Sequence, residues 1–135
     1  MSVKVLIKSD PGIISLLDDY YSTFNNEGWI DCDFNITIDC FYVSLSTQLY
    51  KADLELFLTS VVDCIDNNER KLSLNTIEEF FKLEGEIQDN GSIKWRGLFR
   101  SINNFDNVLT FSFKSDKNLL NELRISLSNI LKRAS

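Results

Sequence analysis

The chain has 135 residues, with 20 Asp and Glu against 14 Lys and Arg and a formal charge of −6, which is enough for one domain spanning 1–135 and too little for two. It contains no histidine, so Ser-His, Cys-His and His-metal arrangements are excluded and an enzyme here would depend on carboxylate, lysine or tyrosine chemistry. Hydrophobic residues make up 44% and charged residues 25%, a globular composition; no apolar run approaches the roughly 20 residues of a bilayer span, and MSVKVLIKSD is too short and too alternating for a secretory signal, so a cytoplasmic location is expected.

Val3, Val5 and Ile7 alternate with polar residues, Ser9, Asp10, Pro11 and Gly12 form a stretch of turn formers, and Ile14 and Leu16 resume the alternation. This is the pattern of an opening hairpin. Residues 22–30, STFNNEGWI, read as a polar loop with Trp29 near its end. From Asp31 the alternation is clean, with Phe34, Ile36 and Ile38 on one face of a strand and Asp31, Asp33, Asn35, Thr37 and Asp39 on the other. Beyond Asp39 the apolar phase slips to Phe41, Val43 and Leu45, which a bulge at residues 39–41 or a second short strand would produce.

Leu54, Phe57, Leu58, Val61 and Ile65 fall at helical spacing, Asp53 and Glu55 suit the positive end of that helix, and Asn67 and Asn68 mark its stop. Thr76 and Glu79 have capping-box spacing, which predicts a short helical turn before the next strand. The strand after it has its register written in its side chains. A two-residue turn at Asn90-Gly91 would set Ile87 opposite Lys94 and scramble the faces. A three-residue loop of Asp89, Asn90 and Gly91 instead pairs Ile87 with Ile93, Gly85 with Trp95, Leu83 with Gly97 and Phe81 with Phe99, and sets Glu86 across from Lys94 and Glu84 across from Arg96.

After an Asn- and Asp-rich loop at residues 102–107, Leu109, Phe111 and Phe113 alternate as a third strand of the same meander. Leu120, Leu123, Leu127, Ile130 and Leu131 then follow at helical spacing. Ser115 and Asp116 stand where a side-chain oxygen can cap that helix, and no glycine-rich turn accompanies them to admit a phosphate. The pattern predicts an α+β fold: a curved antiparallel sheet of about six or seven strands with a central and a C-terminal helix packed on it. No internal repeat is visible.

The cysteines, Cys32, Cys40 and Cys64, are odd in number and match neither a zinc site nor a disulfide framework, so they read as reduced thiols. Charge is unevenly spread. Through Asp89 there are 17 Asp and Glu against 6 Lys and Arg, and from Asn90 onward 3 against 8. The overall excess of acid argues against nucleic acid as a partner and favours a basic protein. Asp31, Asp33 and Asp39, on one strand face, are the best candidate contact residues, and Glu78 and Glu79 extend the same acidic surface. Neighbours two apart on a strand lie about 6 to 7 Å from each other and do not converge on a cation. No catalytic residue, metal ligand or cofactor is therefore assigned. Glu84 and Glu86 are expected to be partnered within the hairpin.

The clean strand DCDFNITI, the LELFLTSVVDCI helix, the segment IEEFFKLEGEIQDNGSIKWRG with glycines at 85, 91 and 97, and NVLTFSFKSDKNLLNELRISLSNIL together resemble the WapI-like immunity proteins of bacterial polymorphic-toxin and contact-dependent growth inhibition systems. The likeness covers roughly residues 31–132. Lys117 and Asn118 depart from the family pattern, where a glutamine and a serine or aromatic follow the aspartate. The resemblance implies a non-enzymatic inhibitor that binds a cognate toxin C-terminal domain, often a nuclease. It carries over a role and no binding residues. The alternatives are an acidic adaptor or structural interaction protein without a toxin partner, and a carboxylate-dependent enzyme.

Overall fold

The structure is a computed structural model that describes residues 2–8, 12–20, 23–38, 41–77, 79–101 and 106–132. Strands β1 (Ser2–Lys8), β2 (Gly12–Tyr20), β3 (Trp29–Ile38) and β4 (Phe41–Tyr50) form an antiparallel meander and lead into helix α1 (Lys51–Asp66). Strands β5 (Lys71–Asn75), β6 (Phe81–Ile87), β7 (Ser92–Arg100) and β8 (Val108–Asp116) form a second meander and lead into helix α2 (Leu119–Leu131). The expected α+β class with a central and a C-terminal helix is what forms. The strands described number eight and divide into two four-stranded sheets, because α1 intervenes between β4 and β5 where a hairpin would have continued the first sheet. The order of four strands and a helix thus occurs twice. Each helix packs along the first strand of the other half, α1 along β5 and α2 along β1.

The phase slip beyond Ile38 marks a full second strand: β4 is ten residues long and pairs with β3 from Ile38↔Phe41 through Trp29↔Tyr50. The β6–β7 ladder has the register read from the sequence, Phe81↔Phe99, Leu83↔Gly97, Gly85↔Trp95 and Ile87↔Ile93. Gln88 N–H donates to Ser92 O at 2.8 Å to close the loop, and Gly91 takes φ +86°, a left-handed value that glycine adopts without a Cβ penalty. The cross-strand charges sit opposite each other as expected, Glu86↔Lys94 and Glu84↔Arg96. Their side chains nonetheless do not meet among the described residues. Glu84 pairs with Lys82 on its own strand at 3.4 Å, and Gln88 Nε2 donates to Glu86 at 3.4 Å. Exposed long side chains gain too little from a single geometry to be held in it.

The predicted helical turn at Thr76–Glu79 is a tight turn instead. Glu79 N–H donates to Thr76 O at 2.9 Å, Glu79 takes φ +58°, and Thr76 Oγ1 both accepts from Phe81 N–H at 3.2 Å and donates to Phe81 O at 3.1 Å. Consecutive Phe80 and Phe81 are both buried, which the left-handed residue before them permits. Asp116 ends β8, and its carboxylate accepts from Asn118 N–H at 2.8 Å within the turn before α2. The N-cap of the helix itself is Asn118 and has no side-chain cap bond, so the expected cap by Ser115 or Asp116 serves the turn and not the helix.

The two halves share one hydrophobic core. Alternation along β3 buries Ile30, Cys32, Phe34 and Ile36, and α1 contributes Leu54, Phe57, Val61 and Cys64. Phe34 joins the sheets: its ring stands edge-on to Phe81 at 4.4 Å and to Phe80 at 5.9 Å. From the second half come Leu83, Ile93, Trp95 and Phe113, with Leu120, Leu123, Leu127 and Ile130 of α2.

Helix α1 also closes the free edge of the second sheet. Asp53, Ser60 and Cys64 lie on one helical stripe, and each bonds a backbone group of β5 or the loop after it. Asp53 Oδ2 accepts from Ile77 N–H at 2.8 Å, Ser60 Oγ accepts from Ser73 N–H at 3.3 Å, and the Cys64 thiol donates to Lys71 O at 3.5 Å. The helix therefore runs antiparallel to β5 and satisfies groups that an open edge would leave free to pair with another chain.

Candidate functional site

The pleat that sends Ile30, Cys32, Phe34 and Ile36 into the core turns Asp31 and Asp33 outward, where both are exposed. Opposite them on β4 stand Gln48 and Ser46, and Asn35 faces Ser44. All three pairs are hydrogen-bonded across the strands. Gln48 Nε2 donates to Asp31 Oδ1 at 2.9 Å, Ser46 Oγ to Asp33 Oδ1 at 2.8 Å, and Ser44 Oγ to Asn35 Oδ1 at 2.8 Å. The result is a polar ladder along the outer face of the β3–β4 hairpin.

The third rung engages the amide oxygen of Asn35, and the Asp31 and Asp33 rungs each engage one carboxylate oxygen with a neutral donor. The negative charge stays in place, the side chain is held in one rotamer, and the other oxygen remains able to accept from a partner. Such preorganised acceptors lose little freedom when a cationic surface binds. Among the described residues no group of three or more His, Cys, Asp and Glu side chains is arranged to hold a metal ion.

Of the five acidic residues singled out from the sequence, the structure brings Asp31 and Asp33 together. Asp39 and Glu78 lie outside the described residues. Glu79 is exposed in the turn between β5 and β6, beside Phe80. Phe80 packs on Phe34, which points from β3 to the side opposite Asp33, so Glu79 belongs to another part of the surface.

The outer face of the second sheet is of different character. Lys71, Glu84, Glu86, Lys94 and Arg96 surround an open depression of about 400 Å³ over Gly85. Lys114 flanks Lys94 on β8 and Arg96 lies beside Ser112. Part of the basic excess of the last third of the sequence, Lys94, Arg96 and Lys114, therefore lies on a sheet face distinct from the Asp31–Asp33 ladder.

Two surface features carried no signal in the acidic patterning. Leu56 on α1 and Ile77 in the β5–β6 turn are 68% and 58% exposed although both are large and apolar. Leu56 occupies a position off the predicted stripe, and an isolated apolar residue of that kind looks like ordinary surface.

The fold is shared with solved structures of low sequence similarity. The MRP1/MRP2 crystal structures of Trypanosoma bruciei match with a TM-score of 0.53 and 10% identity, over 96% of this chain and 83% of that one. A guide-RNA-binding protein complex bound to its guide RNA matches with a TM-score of 0.52 and 9% identity, over 89% of this chain and 78% of that one. At such identities the likeness is one of architecture. No curated protein matches the sequence. The model of the immunity protein WapI-like family matches residues 7–135, nearly the whole chain, and the protein belongs to that family.

Proposed function

We propose that the protein binds and neutralises the toxic C-terminal domain of a polymorphic toxin, in contact-dependent growth inhibition or a related system, without chemistry of its own. Membership of the family implies a cognate toxin. The observation that supports the finer reading is the Asp31–Asp33 ladder, a row of fixed acceptors on a strand face with no internal cation to neutralise it among the described residues. A nuclease domain presents positive charge to its substrate, and an acidic face competes for the same surface while speeding encounter through long-range attraction.

Asp31 and Asp33 form the acidic contact row, and Asp39, Glu78 and Glu79 are the further acidic residues assigned to toxin binding. The complex would form in the cytoplasm, where the toxin acts. An interface of this type buries on the order of 1,600 Å² in total. The test is to co-express the protein with the toxin domain encoded beside it and then measure association by stopped flow. Neutralisation of growth arrest, with association slowed about tenfold or more in Asp31→Lys/Asp33→Lys at low salt, is the expected result. An unchanged association rate removes these residues from the interface, and failure to rescue growth removes the role.

A further inference from the structure

The turn between β5 and β6 is held more firmly than a connector requires. Thr76 ties it to Phe81 through both backbone and hydroxyl, Glu79 N–H closes it onto Thr76 O, and Asp53 pins Ile77 N–H to the first turn of α1. Within it Glu79, which is not glycine, sits at φ +58°. A left-handed residue with a side chain persists where its surroundings over-determine it, and such positions gather at binding sites.

What this rigid turn displays is an isoleucine. Ile77 is 58% exposed, although its own backbone is fixed at 2.8 Å from Asp53. Leu56 lies on the same helical stripe as Asp53 and Ser60, between the two bonds that hold α1 to Ile77 and Ser73, and it is 68% exposed. The seam therefore presents two large exposed apolar side chains, Leu56 one helical turn on from the Asp53 carboxylate that holds Ile77 N–H. Acids stand around them, with Asp53 beneath, Glu55 next to Leu56 and Glu79 in the turn. The cation of the same helical turn, Lys51, is drawn away over the Phe24 ring at 5.6 Å.

We infer that this seam is the apolar anchor of the toxin interface: Ile77 and Leu56 enter a hydrophobic depression on the toxin domain whose rim carries Lys or Arg to meet Glu55 and Glu79. The inference rests on the neutralising role proposed above and adds to it a second contact region, separate from the Asp31–Asp33 ladder. The two regions divide the work. Exposed charge governs how fast the partners meet, and a buried apolar anchor ringed by polar contacts governs how slowly they part.

The experiment uses the full chain and the adjacent toxin domain made inactive in its own active site. Association and dissociation rates are measured for the wild type, for Leu56→Ser/Ile77→Ser, and for Val108→Ser, an exposed apolar residue at the opposite edge of the second sheet as a control. Equal urea midpoints establish that all three are folded. The expected result is a rise in Kd of about 100-fold for the double variant, carried by faster dissociation, with Val108→Ser like the wild type. Tight binding by the wild type with unchanged dissociation in the double variant overturns the anchor while leaving the neutralising role intact. Absence of wild-type binding overturns the role and the anchor with it. A double variant whose only change is reduced self-association in sedimentation reassigns the seam to contact between copies of this chain.

Discussion

Phe111 lies across the bare backbone of Gly97, directly opposite it in the β7–β8 ladder, so that a Cβ at residue 97 would clash with the ring. The same ring is stacked against Phe113, centroids 6.2 Å apart at 15°. Gly97→Ala must displace Phe111 or bend β7, and we expect it to cost about 1 to 3 kcal/mol, the range for overpacking. Chemical denaturation should show a lower midpoint with unchanged slope. Phe111→Leu in the Gly97→Ala background should recover part of the loss, because the shorter side chain vacates the space. Full additivity of the two changes would show that the close approach is not the cause.

The indole of Trp95 is fully buried and its Nε1–H donates to Ser115 Oγ at 2.8 Å. Ser115→Ala leaves a donor in the core without a partner, at an expected cost of about 1 to 3 kcal/mol. Trp95→Phe removes the donor itself, so adding Ser115→Ala to that variant should cost much less than it does in the wild type. A double-mutant cycle by thermal or urea unfolding measures the difference. A coupling near zero would place the stabilising effect of Ser115 elsewhere.

How much of this was legible follows from which constraints are local. The β6–β7 register could be read because three patterns coincide there: large residues facing glycine, opposite charges in apposition, and a glycine in the one loop position that needs a positive φ. The inward and outward faces of β3 were equally plain, since a period of two decides them. The strand Lys71–Asn75 left too faint a trace, two leucines in five residues. The division into two sheets was hidden because sequence neighbours say nothing about which strand α1 and α2 lie against, and the doubled order of four strands and a helix recurs as pattern without repeated residues. Glu84 and Arg96 show the limit from the other side: apposition was right and contact did not follow. For the candidate site, Asp31 and Asp33 were found by alternation, while their partners Gln48 and Ser46 depended on a pairing of β3 with β4 that the phase slip left open. Ile77 and Leu56 become conspicuous only when Asp53 is seen to fasten the turn.

Asp53 gives that fastening a pH dependence. Burial pushes its carboxyl above the ordinary value of 3.8, and the hydrogen bond from Ile77 N–H pulls in the opposite direction without cancelling the rise. A carboxyl raised on folding binds its proton more tightly in the native state. Its contribution to stability is therefore present below pH 3.8 and is lost as pH rises through the higher native value, so at neutral pH the charge is a net cost. Asp53→Asn keeps an acceptor for Ile77 and carries no charge. We expect it to be at least as stable as the wild type at pH 7 and to lose that advantage in the acid range, as judged by urea midpoints of the two proteins across pH 3 to 7. An advantage that is constant with pH would mean that the ionised carboxylate is not the penalised species.

The thiols should be silent in the native protein. Cys32 and Cys64 are both buried reduced thiols. Burial pushes the Cys64 thiol up first, the neighbouring carboxylates Asp63 and Glu69 push it further, and Lys117 opposes them weakly. Its proton is engaged with Lys71 O at 3.5 Å. Since the thiolate is the reactive form, both access and ionisation work against modification. Cys40 lies outside the described residues, so the measurement is made in a Cys40→Ser background. A disulfide reagent at pH 8 should leave both remaining thiols unlabelled on the timescale in which a free peptide thiol reacts completely, and should titrate two thiols in urea. The sign for stability runs with the raised value: the native state holds the Cys64 proton more tightly, so stability is retained below pH 9.0, where an unfolded thiol ionises, and declines as pH climbs above it. Cys64→Ser keeps a donor for Lys71 and does not titrate, so it should flatten that alkaline decline. Rapid labelling of Cys64 in the folded protein would show that α1 opens from the edge of β5 far more readily than its three side-chain bonds imply.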